Sequence, residues 1–124
     1  MHDDYITEYS VNISEKKLII QTYNNKKERR RICFSDVLTH SFKCVLDYNQ
    51  ILDISEYEIG SFIVDNRADL EELEGFCWPI DYQNEDELKN FLNVNGYKYI
   101  KVNSSYGLFG WILAKSYQIS DLVL

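Results

Sequence analysis

Cysteine, histidine and proline are scarce in this sequence, and each shortage removes a class of chemistry. Cys33, Cys44 and Cys77 form an odd set without paired spacing, so neither a disulfide framework nor a four-cysteine zinc site is expected. His2 and His40 lie too far apart in the chain for zinc-ligand spacing. His40 and Cys44 fall on one side of an extended stretch but beyond direct contact, and no third group orients them as nucleophilic catalysis requires. Asp65, Asp69 and Glu71 lack the one-three-five ligand pattern and central glycine of a calcium loop. "GLFG" at 107–110 has no lysine-serine signature and opens no helix, so it is not a phosphate cradle. No metal, no cofactor and no enzymatic activity are expected.

Long apolar runs are also missing. Nothing approaches the roughly 18 apolar residues of a membrane span, and the opening "MHDDYITEY" has acids where a secretory leader has bases. The reading is a cytoplasmic protein with no membrane contact.

What is present is enough apolar surface for one core. The 124 residues are 45% hydrophobic and 15% aromatic, too rich for a disordered chain, and the length suits a single domain, 1–124. "YITEYSVNI" and "KKLIIQTY" alternate with period two and read as a hairpin. "RRRICF" and "SFKCVL" continue an antiparallel meander. "ILDISEYEIGSFIV" reads as a short helix and then a strand, broken at Gly60, and "RADLEELEGF" as a helix of one or two turns. In "NEDELKNFLNVNG", Asn84 followed by Glu87 has capping-box spacing ahead of Leu88, Phe91 and Leu92. "YKYIKV" and "LFGWILAKSYQI" are a strand and its apolar return, and Pro79 marks the crossing from the acidic segment to the helix that Asn84 caps. The expected fold is α+β, a twisted antiparallel sheet of five or six strands with one or two helices on one face.

Charge is unevenly placed. The net charge is -7, yet residues 47–87 hold thirteen acids against the single base Arg67, while five of the six residues 26–31 are basic. In a hairpin the alternation sends Arg29 and Arg31 away from Ile32, so the basic run reads first as a solvated strand edge that resists edge pairing. Contact with the protein's own acidic segment is a second reading. A nucleic-acid site is a third, and it needs clustered bases on one face with aromatic platforms; Tyr23 and Phe34, the neighbouring aromatics, are equally explained by packing. The acidic middle is the better candidate for function, because such a field accelerates association with a cationic partner and aromatics embedded in it can anchor an interface. The candidate partner-binding residues are Asp65, Asp69, Glu71, Glu72, Glu74 and Asp81 for steering, with Trp78 and Tyr82 as anchors.

The meander with "LIIQTY", the strand ending "ICFSDV", the acidic stretch with "CWPIDY" and the terminal "YKYIKVNSSYGLFGWILAK" together resemble small acidic immunity-type proteins found beside polymorphic toxins in Gram-positive bacteria. The resemblance implies one cytoplasmic α+β domain, no cofactor and tight binding to a cognate toxin, often a nuclease with a basic cleft. It transfers no contact residues, since each such protein recognises its own partner. The expected function is therefore a non-catalytic inhibitor of a basic partner protein. A nucleic-acid-binding module using 26–31 is the runner-up, with nucleic acid not the expected partner, and a small enzyme whose pocket holds His40 and a carboxylate comes third.

Overall fold

The computed structural model describes residues 3–73 and 78–122. Eight strands form one sheet: β1 (Tyr5–Asn12), β2 (Lys17–Tyr23), β3 (Arg29–Ser35), β4 (Thr39–Lys43), β5 (Gln50–Tyr57), β6 (Lys98–Tyr106), β7 (Phe109–Ala114) and β8 (Ser116–Leu122). Three helices lie between β5 and β6: α1 (Ile59–Asp65), α2 (Arg67–Leu73) and α3 (Glu85–Val94). The strand order is β4-β7-β6-β5-β1-β2-β3-β8, and every pairing is antiparallel.

The sheet is thus larger than the five or six strands expected, and two stretches depart from the sequence reading. Residues 108–119 do not make one strand: the chain breaks at Lys115, whose N–H donates to the Ser35 carbonyl, and β8 then leaves β7 to pair with β3. Residues 51–57 are strand and 59–65 helix, the reverse of the expected order. Ile51 and Ile54, three apart, look helical, but β5 carries irregular register between Ile51 and Asp53. An extra residue of that kind turns a spacing of three into two side chains on one face, and both isoleucines join the same core.

Two apolar layers result. β1 and β5 meet through the single register pair Tyr5↔Gln50, and about this seam the sheet folds over. Leu18 and Ile20 of β2 and Ile32 and Phe34 of β3 meet Ile100, Val102, Ile112 and Ala114 of β6 and β7 in the inner core. The second layer sits on the opposite face of β6 and β7, where Tyr99 and Leu113 receive Ile59, Phe62, Ile63, Leu70, Leu88 and Leu92 from the helices. The Asn84 side chain accepts from the Glu87 N–H at 2.8 Å, closing the first turn of α3 as its spacing predicts. No helix among the described residues is long and apolar enough to cross a membrane.

Candidate functional site

The acidic segment folds into the helical layer. Asp69, Glu71 and Glu72 are exposed on α2, Asp81 is exposed in the link to α3, and Glu85, Asp86 and Glu87 form the first turn of α3. Three acids in that turn are stabilised by the positive end of the helix dipole. Between α2 and the start of α3 lies a groove of about 530 Å³, walled by Leu70, Glu71, Tyr82, Glu85 and Asp86, with Arg67 the base among its lining residues. The Arg67 guanidinium grips Glu85 in a fork, Nε to Oε2 at 2.6 Å and Nη2 to Oε1 at 3.0 Å. These hydrogen bonds hold the Glu85 carboxyl below its ordinary range. Asp69, Glu72, Asp81, Asp86 and Glu87 form no ion pair among the described residues.

Not every candidate joins this surface. Asp65, at the end of α1, accepts the Tyr99 hydroxyl at 2.9 Å and lies 3.7 Å from the Lys101 ammonium; burial first, and then this carboxylate, push the Tyr99 hydroxyl's pKa upward. Its charge is spent within the fold. Glu74 lies outside the described residues. Tyr82 is half-buried in the groove wall. Trp78 is half-buried too, its ring 5.9 Å from Phe62 and 6.4 Å from Trp111.

The Trp78 indole N–H is buried with no hydrogen-bond partner among the described residues, a state that costs about 1–3 kcal/mol. Trp78→Phe removes the orphan donor along with some ring area, so it is expected to leave stability within about 1 kcal/mol of the parent. Trp78→Ala loses the packing as well and is expected to cost about 3 kcal/mol. Urea unfolding of both variants checks the pair; equal losses would show that the indole N–H has a partner after all.

The basic run does not fold against the acids. Arg30 points inward from β3, where its Nη1 donates to both carboxylate oxygens of buried Asp4, at 3.2 and 3.1 Å, and Nη2 reaches Glu28 at 3.1 Å. Arg29 and Arg31 are exposed on the other face, as the alternation predicts. Asp4 is a residue that sequence reasoning missed, because a carboxylate next to the N-terminus normally frays into solvent.

His40 and Cys44 do not converge. The imidazole packs on Phe42 at 5.3 Å, burial lowers its pKa, and Cys44 is exposed at positive φ. No cluster of three or more metal-ligating side chains occurs among the described residues. Compared with family models, with characterised proteins and with solved structures, the chain matches none.

Proposed function

We propose that this protein is a non-catalytic binding protein whose helical layer presents a negative groove to a cationic partner protein, as an immunity-type inhibitor does to a basic toxin. One observation carries the reading. Carboxylates from α2 (Glu71) and from α3 (Glu85 and Asp86) line a single groove beside Tyr82, and its lining base is already bound to Glu85. Unpaired like charges this close repel one another and lower stability slightly; a partner supplying arginine or lysine removes that repulsion and gains charge-assisted hydrogen bonds. The forked Arg67–Glu85 pair supports a guanidinium as the recognised group, since such a group already sits against this wall.

The test pairs the parent with the triple reversal Asp69→Lys, Glu72→Lys, Asp86→Lys. Both are immobilised and exposed to lysate, the basic protein retained by the parent is identified by mass spectrometry, and its association with each is timed at low and high salt. The reversal is expected to slow association by about tenfold or more at low salt, with convergence at high salt. Equal rates at low salt, or equal retention of every protein, would overturn the proposal.

A further inference from the structure

The sheet register aligns tyrosines and an arginine in one line across the face turned away from the inner core. Tyr106 pairs with Gln50, Gln50 with Tyr5, Tyr5 with Tyr23 and Tyr23 with Arg29. The line therefore crosses β6, β5, β1, β2 and β3. Tyr48, just before β5, joins it over Gln50, its ring 5.1 Å from Tyr5 and 5.7 Å from Tyr106. At the far end the Arg29 guanidinium lies 5.7 Å from the centre of the Tyr23 ring. Arg31 follows on the same face of β3, and Lys26 and Lys27 stand exposed in the adjoining hairpin loop. Tyr48 and Tyr106 are 45% and 56% exposed, and the helices pack elsewhere, on β6 and β7.

We infer that this line is a platform for single-stranded nucleic acid, with bases stacked on Tyr106, Tyr48, Tyr5 and Tyr23 and phosphates held at the end formed by Arg29, Arg31, Lys26 and Lys27. Every base has a π-face, so a row of rings serves a strand irrespective of sequence, provided cations track its backbone. Tyrosines also anchor protein interfaces; the cations decide between the two occupants. Arg29 and Arg31 form no ion pair among the described residues, whereas Arg30, the arginine between them, is turned inward and neutralised. Lys26 and Lys27 likewise form no ion pair among the described residues, and these four bases fit a polyanion.

The acids at this end, Glu28 and Asp121, are both paired with Arg30. Asp3, reached by the Gln50 amide at 3.3 Å, and Glu8, paired with Gln21, lie towards the β1 side of the line. That confines phosphate contact to the arginine end. The helical carboxylates belong to the layer over β6 and β7, four strands along the sheet from β3, and none of them is ion-paired with Arg29 or Arg31 among the described residues.

The experiment is a fluorescence-anisotropy titration of the full chain with fluorescein-labelled oligothymidylate of about 12 nucleotides and with a duplex of equal length. Four phosphate contacts on a single strand give a slope of log affinity against log salt near about -2.8, a loss of roughly 50-fold between about 50 and about 200 mM salt. Arg29→Ala with Arg31→Ala is expected to flatten that slope by about 1.4. Tyr48→Ala and Tyr106→Ala are each expected to weaken binding at least roughly fivefold, with Tyr48→Phe close to the parent because stacking is kept. Circular dichroism confirms that each exposed-site variant is folded. The platform is independent of the helical groove, so the triple reversal that tests the groove should leave oligonucleotide affinity within about twofold at physiological salt. No binding at low salt, equal binding of the duplex, or affinity unmoved by Tyr48→Ala and Tyr106→Ala would overturn the inference.

Discussion

Asp4→Ala is expected to cost about 3–5 kcal/mol, the loss associated with breaking a buried ion pair from one side. Asp4 is 1% exposed, and its carboxylate is the meeting point of three donors, two on strands and one in the β2–β3 loop. Thr22 Oγ1 donates at 2.9 Å, Asn24 Nδ2 at 3.3 Å, and Arg30 reaches both oxygens. Removing it leaves the buried Thr22 hydroxyl without an acceptor and strands a guanidinium whose remaining partners, Glu28 and Asp121, lie near the surface. The anchor also holds the chain start: the Ile51 N–H donates to the Asp4 carbonyl at 2.9 Å across the seam between β1 and β5. Arg30→Met should be comparably harmful, because it abandons the carboxylate inside. Arg29→Ala and Arg31→Ala, exposed on the other face, should each stay within about 0.5 kcal/mol. Urea midpoints of the four variants settle the matter, and an Asp4→Ala loss below about 1 kcal/mol would mean that the carboxylate is hydrated rather than paired.

That contrast between adjacent arginines shows how far sequence carries the structure. Period-two alternation placed Arg29 and Arg31 outside and Ile32 and Phe34 inside, and the structure agrees. By the same alternation Arg30 had to face the core, which is sensible only if an acid waits there. Nothing near Arg30 in sequence identifies Asp4 as that acid, because the pair is made by register across β2, 26 residues away. The candidate surface divides similarly. Asp69, Glu71, Glu72 and Asp81 were legible as solvated charge and all are exposed, but of these it is Glu71 that helix formation brings into the groove with Glu85 and Asp86. Trp78 read as an anchor because tryptophan in an acidic stretch has that chemistry, but its contacts with Phe62 and Trp111 are long-range packing that no local pattern encodes. The tyrosine line was invisible for the same reason: its members come from four strands and one loop, and only strand order brings them together. Irregular register in β5 defeated the helix-strand order outright, since a spacing of three between Ile51 and Ile54 carries opposite meanings in regular and bulged backbone.

Gly107→Ala tests the turn that holds Tyr48 and Tyr106 in place, and it is expected to cost about 3 kcal/mol from two sources. Gly107 has φ +80°, a left-handed conformation that costs a residue with a Cβ about 1–2 kcal/mol. The added methyl would also collide with Asn49 Oδ1 and stand 2.7 Å from the Tyr48 carbonyl oxygen, and overpacking of this kind adds about 1–3 kcal/mol. Asn49 cannot step aside without loss. It is buried, its Oδ1 accepts from the N–H groups of Leu46 at 3.0 Å and Leu108 at 2.8 Å, and its Nδ2 donates to the Leu46 carbonyl at 2.8 Å. One side chain thereby ties the loop before β5 to the β6–β7 turn. Asn49→Ala alone should cost about 2–3 kcal/mol through the unsatisfied backbone groups. Combined with Gly107→Ala, it removes the atom that the new methyl strikes, so the double variant should be more stable than the sum of the singles predicts by about 1 kcal/mol. Additive losses would show that the strain lies in the backbone angle and against the Tyr48 carbonyl, not against the Asn49 side chain.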